Sequence, residues 1–308
     1  MADIEKTETE KEAERLYNKA LDALDDGNWL LAVQHLKRCL AVDPEYVAAH
    51  HELADIFFHN KQYAPAEEEI KRALLLDPKD PEANFALGNI YNAQGRHTDA
   101  LRVFKRMEQE APEYAPELFY NMAVAYKNLD RPDLALDYFS LAIEEDPSYF
   151  ECLEHIGKLH MDAGRLEDAR KSFAEYLEAD PGSINVHHML AITLSKQDQW
   201  KPAIAEWEKV LALAPDTDEA LRELGWAFNM QGDYEKSVDT LHKALEKNPH
   251  NLQARIDLGA VFMSNLKFEE AIAEWEKARG EDPANPQIKK FLSDAQALKK
   301  SREAQGKE

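Results

Sequence analysis

Small side chains, bulky side chains and prolines recur along this chain on one shared period. Gly or Ala stands at Ala20, Ala54, Gly88, Ala123, Gly157, Ala191, Gly225 and Gly259. A second small column reads Ala32, Ala66, Ala100, Ala135, Ala169, Ala203, Ser237 and Ala271. A bulky apolar column follows it: Leu36, Ile70, Phe104, Phe139, Phe173, Trp207, Leu241 and Trp275. Prolines at 44, 78, 112, 147, 181, 215, 249 and 283 keep the same beat, 34 residues apart except for one step of 35. Self-similarity at such a period marks a repeat architecture. It divides the chain into eight units starting near residues 13, 47, 81, 116, 150, 184, 218 and 252.

Within each unit the spacing predicts two helices. Positions 4, 7, 8 and 11 share one helical face, and positions 20, 24 and 27 share a face of the next helix. Small residues at 8 and 20 let two backbones approach, and the bulky residue at 24 fills the space beside them. Gly27, Gly95, Gly164 and Gly232 fall in the intervening turn, where a left-handed C-cap fits. Proline at position 32 ends the second helix. Pro81 and Pro116 suit the first turn of the following one. Beyond Pro283, a stripe of Ile288, Phe291, Leu292, Ala295 and Leu298 predicts an amphipathic helix, with Lys289, Lys290, Lys299, Lys300 and Arg302 on its other faces. That helix would cover the last unit, as stacked repeats require.

These columns resemble the tetratricopeptide repeat, a helix–turn–helix with small residues at 8 and 20 and proline at 32. The resemblance covers residues 13 to about 285. It departs at Lys19 and Ala23 in the first unit, and at one extra residue within Glu113-Tyr114-Ala115. It implies an all-α fold, a right-handed α-solenoid of eight repeats plus a C-terminal capping helix. The expected divisions are an acidic N-terminal tail or helix extension at 1–12 and a repeat array at 13–285. A basic capping helix at 286–302 and a disordered tail at 303–308 complete them. One uninterrupted core is expected, because repeats pack only on their neighbours.

The chain has 308 residues and a formal charge of −22, which argues against binding nucleic acid or anionic membrane. No stretch reaches the ~18 apolar residues of a membrane span. The acidic N-terminus, MADIEKTETEKEAER, does not read as a secretory signal, so a cytoplasmic protein is expected. Two cysteines, Cys39 and Cys152, exclude a disulfide framework, and both fall at or beside core positions.

Chemistry is then sought in the side chains that packing does not use. The resemblance implies a concave surface lined by the first helix of each repeat. The partner-binding candidates there are Tyr17, Phe85, Asn89, Asn92, Tyr120, Asn121, Lys127, Lys158, Arg222, Trp226, Asn229 and Met230. Amides can bond a peptide backbone in both directions. Trp and Met supply the apolar anchors that dominate interface energy. Trp226 stands out, since Trp29, Trp200, Trp207 and Trp275 occupy core-facing columns.

The carboxylate clamp of co-chaperone relatives needs cations where this chain has Phe85, Glu151 and His155, although Asn89 and Asn121 match its amides. The asparagine ladder of glycosyltransferase relatives is reduced to Asn18 and Asn121. His51, Asp55 and His59 share a helical face and could ligate a divalent ion, but they span two turns. No phosphate loop or nucleophile elbow occurs. No catalytic residue, metal site or cofactor is expected. The sequence reads as a non-enzymatic interaction scaffold or adaptor that takes a partner's peptide or helix in its groove. The alternative is a substrate-recruiting or regulatory subunit whose catalysis resides in another chain. Self-association through the basic C-terminal helix is a second partner reading.

Overall fold

The computed structural model describes residues 7–305. The ends of both predicted tails, 1–6 and 306–308, lie outside the described residues. The described part is all-α, with seventeen α-helices, two 3-10 turns and no strand among the described residues.

The predicted pairs are all present. They are α1 (Glu8–Asp25) with α2 (Trp29–Val42), α3 (Val47–His59) with α4 (Tyr63–Leu76), α5 (Pro81–Ala93) with α6 (His97–Glu110), and α7 (Ala115–Asn128) with α8 (Pro132–Glu145). Then come α9 (Cys152–Asp162) with α10 (Leu166–Ala179), α11 (Ile184–Lys196) with α12 (Trp200–Leu213), α13 (Asp218–Gln231) with α14 (Tyr234–Lys247), and α15 (Leu252–Ser264) with α16 (Phe268–Glu281). The final helix is α17 (Pro286–Gln305). A capping box closes the start of α1: the Thr7 hydroxyl accepts the Glu10 N–H, and the Glu10 carboxylate accepts the Thr7 N–H. The extra residue of the fourth unit is absorbed by the 3-10 turn Pro112–Tyr114. A similar turn, Pro147–Tyr149, delays the start of α9.

The helices divide into two compact units, Met1–Cys152 and Leu153–Glu308. The repeat period alone predicts an uninterrupted core. The division falls at the Pro147–Tyr149 turn and the shortest α-helix, α9, of 11 residues.

In both units the core is the column pattern made physical. Every residue of the second small column is fully buried, and every residue of the bulky column is at most 2% exposed. The first small column is small by necessity. A methyl group added at Gly225 would lie 2.7 Å from Leu241 Cγ and 3.3 Å from the Leu241 backbone nitrogen. One added at Gly157 would lie 2.5 Å from the Phe173 ring. At the C-terminal end Ile288, Leu292 and Ala295 are buried and Phe291 stacks on Trp275, so α17 covers the last pair.

The turns inside the pairs are built alike. In all eight, an N–H just past the turn donates back to the carbonyl five residues earlier. Examples are Asn28 to Ala23 (2.7 Å), Arg131 to Tyr126 (3.0 Å) and Lys267 to Phe262 (2.9 Å). This is the long bond of the Schellman motif, and it needs one left-handed residue. Glycine supplies it at four turns, while Lys61, Asp130, Asp198 and Leu266 take positive φ at the others. Between pairs, the acidic residue before proline acts as an Asx turn. The carboxylates of Asp43, Asp77, Asp146 and Asp180 accept the N–H two residues on, beyond the proline that has none to give.

A polar latch that the column reading did not anticipate ties neighbouring pairs together. His50 Nε2 lies 3.1 Å from the Pro44 carbonyl oxygen, and its Nδ1 lies 2.7 Å from the Glu69 carboxylate. His187 repeats this with Pro181 and Glu206. Arg255 does so with Pro249 and Glu274. Asn84 donates to the Pro78 carbonyl.

Two stability measurements test this packing. Ala in place of Gly inside a helix ordinarily gains about 1 kcal/mol. Gly225→Ala will instead lose on the order of 1 kcal/mol in a denaturant titration, because overpacking costs about 1–3 kcal/mol. Leu266 holds φ 61° and is 57% exposed, so its side chain contributes little packing in return. Leu266→Gly will raise stability by about 0.5–1 kcal/mol, since a left-handed L-residue costs about 1–2 kcal/mol.

Candidate functional site

In the first unit, α3 and α5 wall a cleft of about 440 Å³. Ala54, Ala86, Ile70 and Ile90 keep its base small and apolar. Phe58 and Phe85 stand at its sides, each half-buried. Phe85 is held by Phe104 and Tyr114, at ring-centroid distances of 6.1 and 5.6 Å. Phe58 packs against Tyr63 at 5.7 Å. The rings are therefore fixed in place before anything binds.

The polar lining is acidic. Glu52, Asp55 and Glu82 contribute carboxylates, His51 and His59 contribute imidazoles, and no Lys or Arg among the described residues lines the cleft. Glu52 accepts a hydrogen bond from the Tyr17 hydroxyl at 3.4 Å. Burial pushes the Glu52 carboxyl above its ordinary value, beyond what Tyr17 and His51 offset. Burial, with Glu52 beside it, carries the Tyr17 hydroxyl up to about 12. Asn89 lines the same cleft, and its amide oxygen is buried with no hydrogen-bond partner among the described residues.

A charge cluster fixes the two repeats that form the cleft. Glu67 on α4 receives hydrogen bonds from Lys71, Gln94 and Arg96, the last two from the turn after α5. Burial opposes the charge on Glu67, yet these bonds outweigh it and hold the carboxyl down at about 2. Arg96 also stacks on the Tyr91 ring at 4.0 Å.

The structure sorts the predicted residues by what they touch. Tyr17, Phe85 and Asn89 stand at or beside the cleft. Asn92 does not face outward: its amide donates to the Asn121 carbonyl at 3.1 Å and meets His97 on the other side. Asn121 bonds the Glu117 carbonyl in its own helix. Tyr120 rests on Phe139 and Tyr149, and Lys127 is half-buried.

In the second unit, Lys158 pairs with Glu154. Arg222, 17% exposed, pairs with Glu223 and with Asp257 at 2.9 Å. Burial works against its charge, but the two carboxylates prevail and raise its pKa. Asn229 accepts from the Ser264 hydroxyl at 3.4 Å. Trp226 is half-buried, and Met230 is 44% exposed. Trp29, placed in a core-facing column by its position, is 37% exposed. Trp200, in the same column, is only half-buried as well.

His51, Asp55 and His59 do not converge. His51 Nε2 turns to Asp80 at 2.8 Å, while His59 Nδ1 bonds the Asp55 backbone carbonyl at 2.9 Å. No group of three His, Cys, Asp or Glu among the described residues is placed to hold a metal ion. Cys39 and Cys152 are free and fully buried, and burial pushes their thiols to about 11 and about 12. Neither is a reactive thiolate. Of the column candidates, Phe85 and Asn89 line the cleft. Glu52 and Glu82 also line it and were not among those candidates; their signal was the lack of any Lys or Arg on α3 and α5. No helix among the described residues is long and apolar enough to cross a membrane.

Comparison with known proteins agrees with this architecture. The family model described as the cilia and flagella-associated protein 70 C-terminal domain matches residues 76–298, and the tetratricopeptide repeat model matches 23–90. The probable UDP-N-acetylglucosamine–peptide N-acetylglucosaminyltransferase SPINDLY of Solanum lycopersicum is 32% identical over 108 residues. That stretch is 35% of this chain and 11% of the tomato protein's length. The solved C-terminal part of a TPR repeat-containing protein from Cytophaga hutchinsonii superposes with a TM-score of 0.69 at 17% identity. The superposition covers 78% of this chain and 98% of that one. YrrB, described as a TPR protein with an unusual peptide-binding site, gives a TM-score of 0.54 at 20% identity, over 60% of this chain and 95% of its own.

The Glu67 cluster sets a pH dependence. Its folded carboxyl titrates near 2 against an ordinary value of 4.5, so its stabilisation is whole above 4.5 and is lost as pH falls through about 2. Denaturant titrations of wild type and Glu67→Gln will differ at neutral pH and converge near the bottom of that window. A difference that stays constant with pH would show that the ionised Glu67 carboxylate does not stabilise the fold.

Proposed function

The chain belongs to the tetratricopeptide repeat family, through the family of the cilia and flagella-associated protein 70 C-terminal domain, and on that premise we propose a non-enzymatic adaptor that binds a segment of a partner protein. One observation carries this reading: the pre-formed cleft between α3 and α5, with fixed aromatic walls and an amide left without a partner. Rigid aromatic anchors reduce the ordering cost of binding. The unpaired Asn89 amide can accept a backbone N–H from an extended or helical segment once its buried oxygen turns toward the cleft. Trp226 and Met230 offer a second, separate apolar patch on α13. The −22 charge favours a protein partner over nucleic acid or anionic lipid. We place the protein in the cytoplasm.

A second reading takes the chain as a substrate-recruiting or regulatory arm for catalysis in another polypeptide. The likeness to part of a peptide N-acetylglucosaminyltransferase favours it. The identity of the partner decides between the two.

Asn89→Ala and Trp226→Ala, each checked for an unchanged melting curve, are the variants to compare with wild type in quantitative affinity capture. Under the adaptor reading, one partner set is lost with Asn89→Ala, with Trp226→Ala, or with both. If both variants retain every partner, the first-helix faces are not the binding surface.

A further inference from the structure

The cleft between α3 and α5 also carries information about what it selects. Its lining combines two aromatic walls with carboxylates and holds no permanent cation. Asp55 and Glu82 are 64% and 75% exposed at the side chain, so both stand at the mouth rather than in the core. Each has one imidazole neighbour, His59 at 3.2 Å from Asp55 and His51 at 3.8 Å from Glu82. A carboxylate accepts about four hydrogen bonds, so most of this capacity is open. Glu52 lies deeper, with Tyr17 as its donor.

We propose that this cleft docks a partner segment bearing one large apolar side chain with Lys or Arg within a turn of it. The apolar side chain enters between Phe58 and Phe85. The cation meets Asp55 and Glu82 at the rim, and the Asn89 side chain turns its buried, unpaired oxygen outward to accept a backbone N–H. An acidic segment, or a free C-terminal carboxylate, is repelled by the same three carboxylates. Rim charges act on encounter and on discrimination between partners, so selectivity falls as salt rises. This inference rests on the adaptor reading above and adds the chemistry of the partner.

The test pans a displayed library of random short peptides on the full chain. Selected peptides are then made synthetically and measured by fluorescence anisotropy. The expected consensus is apolar plus basic. Binding should weaken by about tenfold or more with Asp55→Lys/Glu82→Lys, which alters only exposed side chains. It should weaken as well with Asn89→Ala. A poly-lysine peptide without an apolar anchor serves as the control for general attraction to an acidic chain, and it should bind far more weakly.

If the selected peptides are acidic or uncharged and still lost with Asn89→Ala, the charge rule is overturned and the adaptor reading stands. If basic peptides bind equally well to Asp55→Lys/Glu82→Lys, they sit elsewhere and the cleft assignment fails. If nothing binds wild type, both readings fall.

Discussion

The close approach of paired helix backbones is the constraint on which the rest of this structure depends. It requires one residue without bulk on the first helix and another on the second, with a large side chain filling the gap that remains. Leu241 sits so near Gly225 that no methyl group fits between them. The same column holds Ala123 and Ala191, both fully buried, so one methyl is accepted where the local spacing allows it. Because interiors pack densely, the choice at one column is coupled to the choice at the other. That coupling makes the period visible.

Once two helices are fixed at this distance, the turns have little freedom. Every pair closes with the same long backbone bond, and every closure needs one residue at positive φ. Glycine meets that need without strain at four turns. At Lys61, Asp130, Asp198 and Leu266 the fold imposes the conformation on residues that do not favour it. The backbone bond and the neighbouring packing offset a local cost, so tertiary structure overrides residue preference there.

Much of the fold was legible in the sequence because packing columns are short-range and repeat. Helix pairs, turns, the proline stops and the covering helix all follow from spacing within one unit. Three features were not legible. The division into two units falls where a 3-10 turn and a shortened α9 interrupt the regular beat; the one 35-residue step of the proline ladder ends at that turn, but a step one residue longer does not by itself announce a division. The latches of His50, His187 and Arg255 join residues 19 apart within a repeat to a carbonyl of the repeat before. Column reading treats such residues as variants of an apolar position. Which first-helix side chains stay open was also hidden, because it depends on the partner each finds in the next repeat.

That dependence separates architecture from recognition at this surface. Asn89 and Asn92 lie on one helix, three residues apart, with the same functional group. Asn92 reaches the Asn121 carbonyl of the neighbouring helix and becomes part of the stacking. The buried Asn89 oxygen finds no donor among the described residues, so its bonding capacity is unused. Arg222 is likewise an exposed-column cation that Asp257 converts into a link between α13 and α15. Drawing Arg222 away would leave the Asp257 carboxylate buried without its cation, so Arg222 is a poor docking group. Asp55 and Glu82 each pair with an imidazole and stand largely in solvent, so a partner cation would meet them at little desolvation cost. Spare bonding capacity, rather than residue type alone, marks the side chains that can recognise another molecule.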